Sequence, residues 1–151
     1  MRKKILKNIN SNLDKFLPSN PTIVFGFSGG ADSVVLLHLL LKSYKKEQII
    51  VCHFNHNLRG KLSDRDYIFV KDFCNQNGLK LFYKKENIKI LAKKKKIGLE
   101  EMGRIRRRIF FEDVYEKVKA DKIVLAHHED DQVETFIMRL ARGTGLKGIE
   151  C

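Results

Sequence analysis

Cysteine is scarce: three residues among 151, at Cys52, Cys74 and Cys151, with no CxxC pair. That number and scatter exclude a disulfide framework and a zinc knuckle, and point to a reducing, cytoplasmic compartment. No apolar run approaches the roughly 20 residues needed to cross a bilayer, so no membrane partner is expected. Met1–Leu17 lacks both an uninterrupted apolar core and a small-residue cleavage site. It reads instead as an amphipathic helix with Ile5, Ile9, Leu13 and Phe16 or Leu17 on one face. Acidic residues are in the minority, 18 against 30 Lys and Arg, for a formal charge of +12. That excess favours polyanionic partners. Between Leu79 and Lys119 there are 14 basic and 6 acidic residues, so most of the excess falls there. With 43% hydrophobic and 32% charged residues, disorder and collagen-like repeats are excluded, and the length suits one domain.

Short apolar, β-branched runs alternate with amphipathic stretches along the chain. Thr22–Phe27, Gln48–Phe54, Leu79–Tyr83 and Lys122–Ala126 read as strands. Ser33–Leu41, a segment capped by Ser63-Asp64 and running to Asn75, Leu99–Lys119 and Asp131–Ala141 read as helices. Such alternation predicts an α/β fold: an open, Rossmann-like parallel sheet with helices on both faces. Ligands of such sheets bind outside the carboxyl ends of the strands. The polar segments SGGADS, HFNHNLR and HHEDDQ all follow strands, and should therefore converge on one edge.

Ser28-Gly29-Gly30-Ala31-Asp32-Ser33 joins an apolar strand to an apolar helix. Glycines let the main chain approach a ligand closely, and the N–H groups opening the next helix favour an anion. Ser28 and Ser33 add hydroxyl groups. The plain alternative is a tight turn with Ser or Asp as helix cap. No Gly-Lys-Ser/Thr follows and G-x-G-x-x-G is absent, so neither a P-loop nor a dinucleotide fingerprint is present. The S-G-G-x-D-S pattern resembles the pyrophosphate-binding loop of the ATP pyrophosphatase (PP-loop) superfamily. That superfamily cleaves ATP between its α- and β-phosphates and adenylates a carbonyl-type oxygen, which a nucleophile then attacks to release AMP.

Two further clusters bear on chemistry. His53 and His56 are three apart, but on an extended strand i and i+3 point to opposite faces. A hydrogen-bonding or structural role is therefore expected, with His56 and Arg59 as candidates to face the ligand. Glu129, Asp130, Asp131 and Glu134 put four acids in six residues at a helix start. That placement suits the helix dipole and, at a ligand edge, offers the oxygen ligands that Mg²⁺ prefers.

The motifs H-x-N-H-x-L-R-G, S-D-R-D, E-E-x-x-R-x-x-R, A-H-H-x-D-D-Q-x-E-T and R-G-T-G-L-K-G follow one another from His53 to Gly148, within a similarity that runs from about Thr22 to Ile149. In order and spacing they resemble the tRNA(Ile)-lysidine synthetase family. The resemblance implies that residues 1–151 form an N-terminal ATP-binding PP-loop catalytic domain, truncated at its C-terminal end. It implies ATP and Mg²⁺ as cofactors, and as substrates free L-lysine and the isoleucine tRNA with a CAU anticodon. A homodimer is left open. The wobble cytidine is adenylated and then attacked by the lysine amine, giving lysidine and changing codon reading from AUG to AUA.

Residue by residue, Ser28, Gly29, Gly30, Ala31, Asp32 and Ser33 would bind the nucleotide, with Asp32 positioning it. Arg104 would stabilise charge on the α-phosphate. His127 would hydrogen-bond substrate or move a proton, and Asp131 would bind Mg²⁺ or activate lysine. His56, Arg59, Arg107 and Lys93, Lys94, Lys95 and Lys96 are candidates for substrate and RNA contact. The chain departs from the family's usual Ala-Arg-x-x-Arg-Tyr at Gly103-Arg104-Ile105-Arg106-Arg107-Arg108, where Arg108 replaces an aromatic. Gly103 inside a helix should cost about 1 kcal/mol relative to Ala. Lys84–Lys96, with seven lysines and one glutamate, reads as a solvated loop and helix face or as a phosphate-neutralising tract. The competing readings are a tRNA thiolase, which would want CxxC pairs, a small-metabolite synthetase, which would not need the lysines, and a non-catalytic nucleotide- or RNA-binding module.

Overall fold

The computed structural model describes residues 17–58 and 61–126. The expected N-terminal helix, Arg59, and everything from His127 onward, including Asp131 and the acidic cluster, lie outside the described residues. Four strands, β1 (Ile23–Gly26), β2 (Ile49–Asn55), β3 (Lys80–Lys85) and β4 (Lys122–Leu125), form one parallel sheet in the order β3-β2-β1-β4. The helices are α1 (Ala31–Ser43), α2 (Lys61–Asn77), α3 (Ile88–Lys95) and α4 (Leu99–Val118).

Both faces of the sheet are apolar because neighbouring side chains of β1 and β2 point alternately to each side. Ile23, Phe25, Ile49 and Val51 pack with Leu36, Leu37 and Leu40 of α1 and Val70 and Cys74 of α2. Val24, Ile50, Cys52 and Phe54 pack with Ile88 and Ala92 of α3 and Met102, Phe110, Phe111 and Val114 of α4. Burying each such large side chain contributes roughly 1.5–3 kcal/mol. The expected parallel sheet with helices on both faces is therefore what forms. The connections through α1 and α2 step one way along the sheet and share a face. The connection through α3 and α4 steps back past β2 and β1 and takes the other face, as a constant crossover hand requires. The strand order thus reverses beside β1.

Three local differences from the sequence pattern have physical reasons. The lysine-rich stretch after β3 contains a helix, α3, because Asn87 caps it by accepting from the Ile90 N–H at 3.2 Å and because Ile88 and Ala92 are buried. Its last turn carries Lys93, Lys94 and Lys95, favourably placed on the helix dipole, before Lys96 turns left-handed at φ 56°. α2 starts at Lys61, two residues before Ser63, so Ser63-Asp64 is not its cap; Asp64 instead pairs with Lys85 at 2.6 Å. β3 runs on to Lys85, keeping register with β2 as far as Asn55.

Where β1 ends, α4 comes very close. A Cβ on Gly26 would stand 2.5 Å from Leu125 Cδ2 and 2.9 Å from Phe111 Cε2. Gly26→Ala is expected to destabilise the fold by about 1–3 kcal/mol, the usual range for overpacking a filled core. The midpoint of urea unfolding checks this, and an unchanged midpoint would contradict it.

Candidate functional site

The turn after β1 is built around its own hydroxyl groups. Ser28 Oγ donates to Ser33 Oγ at 3.1 Å, Ser33 Oγ donates to the Gly30 carbonyl at 2.8 Å, and the Gly30 N–H donates back to Ser28 Oγ at 3.2 Å. This closed circuit rests on Ser33, which is buried, while Ser28 is exposed. Gly29 sits at φ +87°, where a side chain would be strained and its Cβ would lie 3.4 Å from Phe69 and Val70 of α2. Gly30 is the N-cap of α1 and offers no side-chain acceptor. The first-turn N–H groups of α1 have no intrahelical acceptor, so they and the helix dipole face outward from the turn. Asp32 lies in that first turn, half-buried.

β2 supplies the second wall. His53 is buried, and its Nδ1 bonds the Phe27 carbonyl at 2.8 Å. Since a carbonyl only accepts, Nδ1 carries the proton. Burial, the largest influence, pushes the His53 pKa below its ordinary value. Its ring lies parallel to that of Tyr83, centroids 5.9 Å apart, and Tyr83 in turn stacks on Tyr67 at 3.8 Å. Asn55, also buried, donates from Nδ2 to the Ser63 carbonyl at 3.1 Å and to the Tyr83 hydroxyl at 3.3 Å, while its Oδ1 accepts from the Asn57 N–H at 2.8 Å. Asn57 adopts φ 53°. Asn55 thereby ties Asn57, just past β2, and Ser63 of α2 to the end of the strand. His56 turns to the opposite side, edge-on to Phe54 at 4.9 Å and against α4. A Cβ on Gly103 would meet its ring at 2.9 Å, so the glycine's helix-propensity loss makes room for His56.

The rotational phase of α4, set by burial of Met102, Phe110, Phe111 and Val114, also completes an ion pair that has no local spacing in the sequence. Arg106 grips Glu86 in two hydrogen bonds of 2.7 Å each, and Lys84 adds a third charge contact at 3.3 Å. Facing Arg106 this way turns Arg107 toward the cleft and Arg108 outward, where it pairs with Glu112 at 2.7 Å. The position of the usual family aromatic is thus an exposed one in this chain.

A cavity of about 290 Å³ lies at the carboxyl ends of β1, β2 and β4, where the strand order reverses. Ser28, His53, Asn55, His56, Asp66, Arg107 and Ala126 line it. Of the residues singled out in the sequence, Ser28, His56 and Arg107 are brought together here, with Asp32 on the adjoining helix. Arg104 lines a separate open depression of about 730 Å³ with Leu58 and Gly98–Glu101, and Leu58 borders both spaces. Lys93, Lys94, Lys95 and Lys96 are exposed and line neither. Asn55, Asp66, Glu86 and Arg106 were not singled out. Asn55 stood inside a recognised motif, whereas nothing in the sequence couples Glu86 to Arg106.

A glycine turn and an open helix start at the switch point of a parallel sheet define a nucleotide-binding α/β domain. The family model described as a PP-loop domain matches residues 1–151. The chain belongs to that family. It is 40% identical to a tRNA(Ile)-lysidine synthase of Clostridium acetobutylicum, over 97% of this chain and 32% of the relative. A second such synthase, from Clostridioides difficile, is 38% identical over 97% of this chain and 32% of its own length. The chain thus spans about a third of the length of the curated relatives it matches. Among solved structures, the U34-tRNA thiolase NcsA of Methanococcus maripaludis, with its [4Fe-4S] cluster, superposes at TM-score 0.67 and 25% identity over 97% of this chain and 52% of the thiolase.

The guanidinium of Arg106, the largest influence, and the Lys84 ammonium hold the Glu86 carboxyl below its ordinary pKa. A depressed carboxylate stabilises the fold above its unfolded pKa and loses that contribution as pH falls through the folded value. Arg106→Ala is therefore expected to lower stability by about 1 kcal/mol above roughly pH 5, with a gap from the parent that closes on acidification. Urea unfolding across pH checks this; a gap that persists unchanged at low pH would contradict it.

Proposed function

We propose that this chain is the ATP-binding catalytic domain of a tRNA(Ile)-lysidine synthetase, acting with free L-lysine and the isoleucine tRNA that carries a CAU anticodon. The observation that carries the reading is the position of the Ser28–Ser33 turn, with the start of α1 exposed at the edge where the sheet order reverses. The relatives' name supplies the particular reaction. In this reading the carbonyl oxygen of the wobble cytidine attacks the α-phosphorus of ATP, the bond to the β-phosphate oxygen breaks and pyrophosphate leaves. The lysine side-chain amine then attacks the activated ring carbon, AMP departs with the oxygen, and the amine's proton passes to a base.

The chain's own residues are assigned as follows. Main-chain N–H groups of Gly29 and of Ala31 to Ser33 hold phosphate oxygens, and Asp32 positions the nucleotide beside them. Arg107, on the cavity wall, and Arg104, in the depression that meets the cavity at Leu58, spread the charge that develops on the α-phosphate. His56 contacts substrate from the α4 side. His127 and Asp131 keep their roles from sequence, proton transfer or hydrogen bonding for the first and metal binding or lysine activation for the second. The carboxylates of the Glu129–Glu134 cluster are oxygen donors of the kind Mg²⁺ prefers, and the ion would neutralise part of the triphosphate charge. Lys93–Lys96 and Arg59 contribute phosphate contacts to the tRNA. A cytoplasmic location fits a tRNA substrate, and no helix among the described residues is long and apolar enough to cross a membrane.

The thiolase reading is disfavoured by the cysteines. Cys52 packs on the α3–α4 face and Cys74 on the α1–α2 face, so the sheet separates them. Burial pushes their thiols up to about 12 and about 11, away from the thiolate that metal ligation needs.

The test is an assay of the full-length protein with ATP and radiolabelled lysine, with and without the CAU isoleucine tRNA. Lysine incorporation and AMP release are expected only with the tRNA. AMP release without lysine transfer would favour another adenylating enzyme, and ATP binding without AMP a non-catalytic module. Asp32→Ala is expected to lower turnover by roughly 10²–10³ while the fold persists. Replacing Lys93–Lys96 by Gln should flatten the salt dependence of tRNA binding by about 0.7–0.9 in log–log slope for each phosphate that the tract neutralises in the parent. An unchanged slope would make the tract a solvated face.

A further inference from the structure

The ladder between β1 and β2 keeps step from Ile23 opposite Ile49 to Gly26 opposite Cys52, and Phe27 still donates its N–H to the Cys52 carbonyl at 2.8 Å. The next bond is of another kind. The Phe27 carbonyl takes its hydrogen from a side chain, His53 Nδ1 at 2.8 Å, at the point where a continuing parallel ladder would offer a main-chain N–H. Ser28 follows at once, and the chain leaves the sheet for the glycine turn. The imidazole that makes this bond has little freedom. It is 5% exposed, lies within 8° of the plane of Tyr83, and borders Tyr67, ring centroids 6.3 Å apart. Asn55 fixes Tyr83 from the other end through its hydroxyl.

We infer that His53 is a positioning residue for the nucleotide: its Nδ1–H bond to the Phe27 carbonyl sets the direction in which the chain enters Ser28–Ser33, and with it the aim of that turn's N–H groups at phosphate. The inference rests on the reading that this turn holds ATP. A main-chain bond at the same place would prolong β1 by a residue and carry Ser28 along the sheet. A side-chain donor closes the strand one residue sooner while leaving no buried carbonyl unpaired, a loss that would otherwise oppose folding.

The test uses the full-length protein and three substitutions. His53→Asn carries an amide N–H close to the place of Nδ1. His53→Gln carries the same amide one bond further out, and His53→Leu carries no donor. Direct ATP binding by calorimetry is read beside KM for ATP and KM for lysine. The leucine variant is expected to bind ATP about tenfold more weakly, the glutamine variant nearly so, and the asparagine variant to recover to within about twofold of the parent, with KM for lysine constant throughout. Parent-like ATP binding by the leucine variant, equal losses in Asn and Gln, or a parallel rise in KM for lysine would each overturn the assignment. The Asn and Gln pair keeps the test decisive where the leucine variant does not fold. A parent protein that binds no ATP would overturn the reading of the turn itself, an outcome distinct from any pattern among the variants.

Discussion

The handedness of parallel crossovers is the constraint on which the site depends. A right-twisted sheet accepts connections of one hand, so two steps outward from β1 place α1 and α2 on one face, and the return step places α3 and α4 on the other. The price is a sheet whose order reverses at β1, because β2 and β4 cannot both follow it on one side. At that reversal α1 and α2 lie on one face and α3 and α4 on the other, and a crevice is open to solvent at the carboxyl ends of the strands. The cavity bordered by Ser28 and Ala126 is the direct consequence. No catalytic residue is needed to explain its existence, only its chemistry.

That chemistry is presented by contacts lying outside the turn itself. α4 spans 20 residues and carries arginine at four of five positions from Arg104 to Arg108. Which of them faces the cleft is decided by rotation about the helix axis at 100° per residue. The buried stripe of Met102, Phe110, Phe111 and Val114 fixes that rotation, and the half-buried Glu86 carboxylate just past β3 meets it with two 2.7 Å bonds to Arg106. Gly103 on the same helix admits the His56 ring, so helix phase and loop conformation are coupled across one small contact. The apolar contacts of Met102, Phe110 and Phe111 supply most of the binding of α4 to the sheet, and the contacts of Arg106 and Gly103 are consistent with the same orientation.

The alternation of apolar strands with amphipathic helices was readable because burial on both faces leaves continuous apolar runs such as Ile23–Phe25 and Ile49–Cys52. The turn at Ser28–Ser33 was readable because its geometry admits few residue types, glycine at φ +87° above all. α3 was not, since Ile88 and Ala92 are few apolar marks among lysines, and its cap and its burial against α4 are tertiary facts. The same holds for Arg104 and Arg107: three apart in sequence, they border different spaces, and Glu86, the partner of Arg106 between them, stands 20 residues from it. His53 illustrates the middle case. Opposite facing from His56 follows from strand geometry, but its acceptor, the main-chain carbonyl just past the end of β1, carries no residue signature.

β3 is an outer strand of the described sheet, and its side chains suit that position. Lys80 lies over the Phe82 ring at 5.3 Å, Lys117 of α4 over the same ring at 5.4 Å, and Lys84 over Phe110 at 6.0 Å, so ammonium groups blanket the aromatic surface that would otherwise be bare. A free strand margin invites another chain to add itself and begin a fibril. Here an incoming strand would have to strip water from Lys80 and from the ion pairs of Lys84 with Glu86 and of Lys85 with Asp64 before its first backbone bond formed. Charged side chains along such a margin, Lys80, Lys84 and Lys85 here, are the usual device by which an outer strand is kept from pairing with another chain.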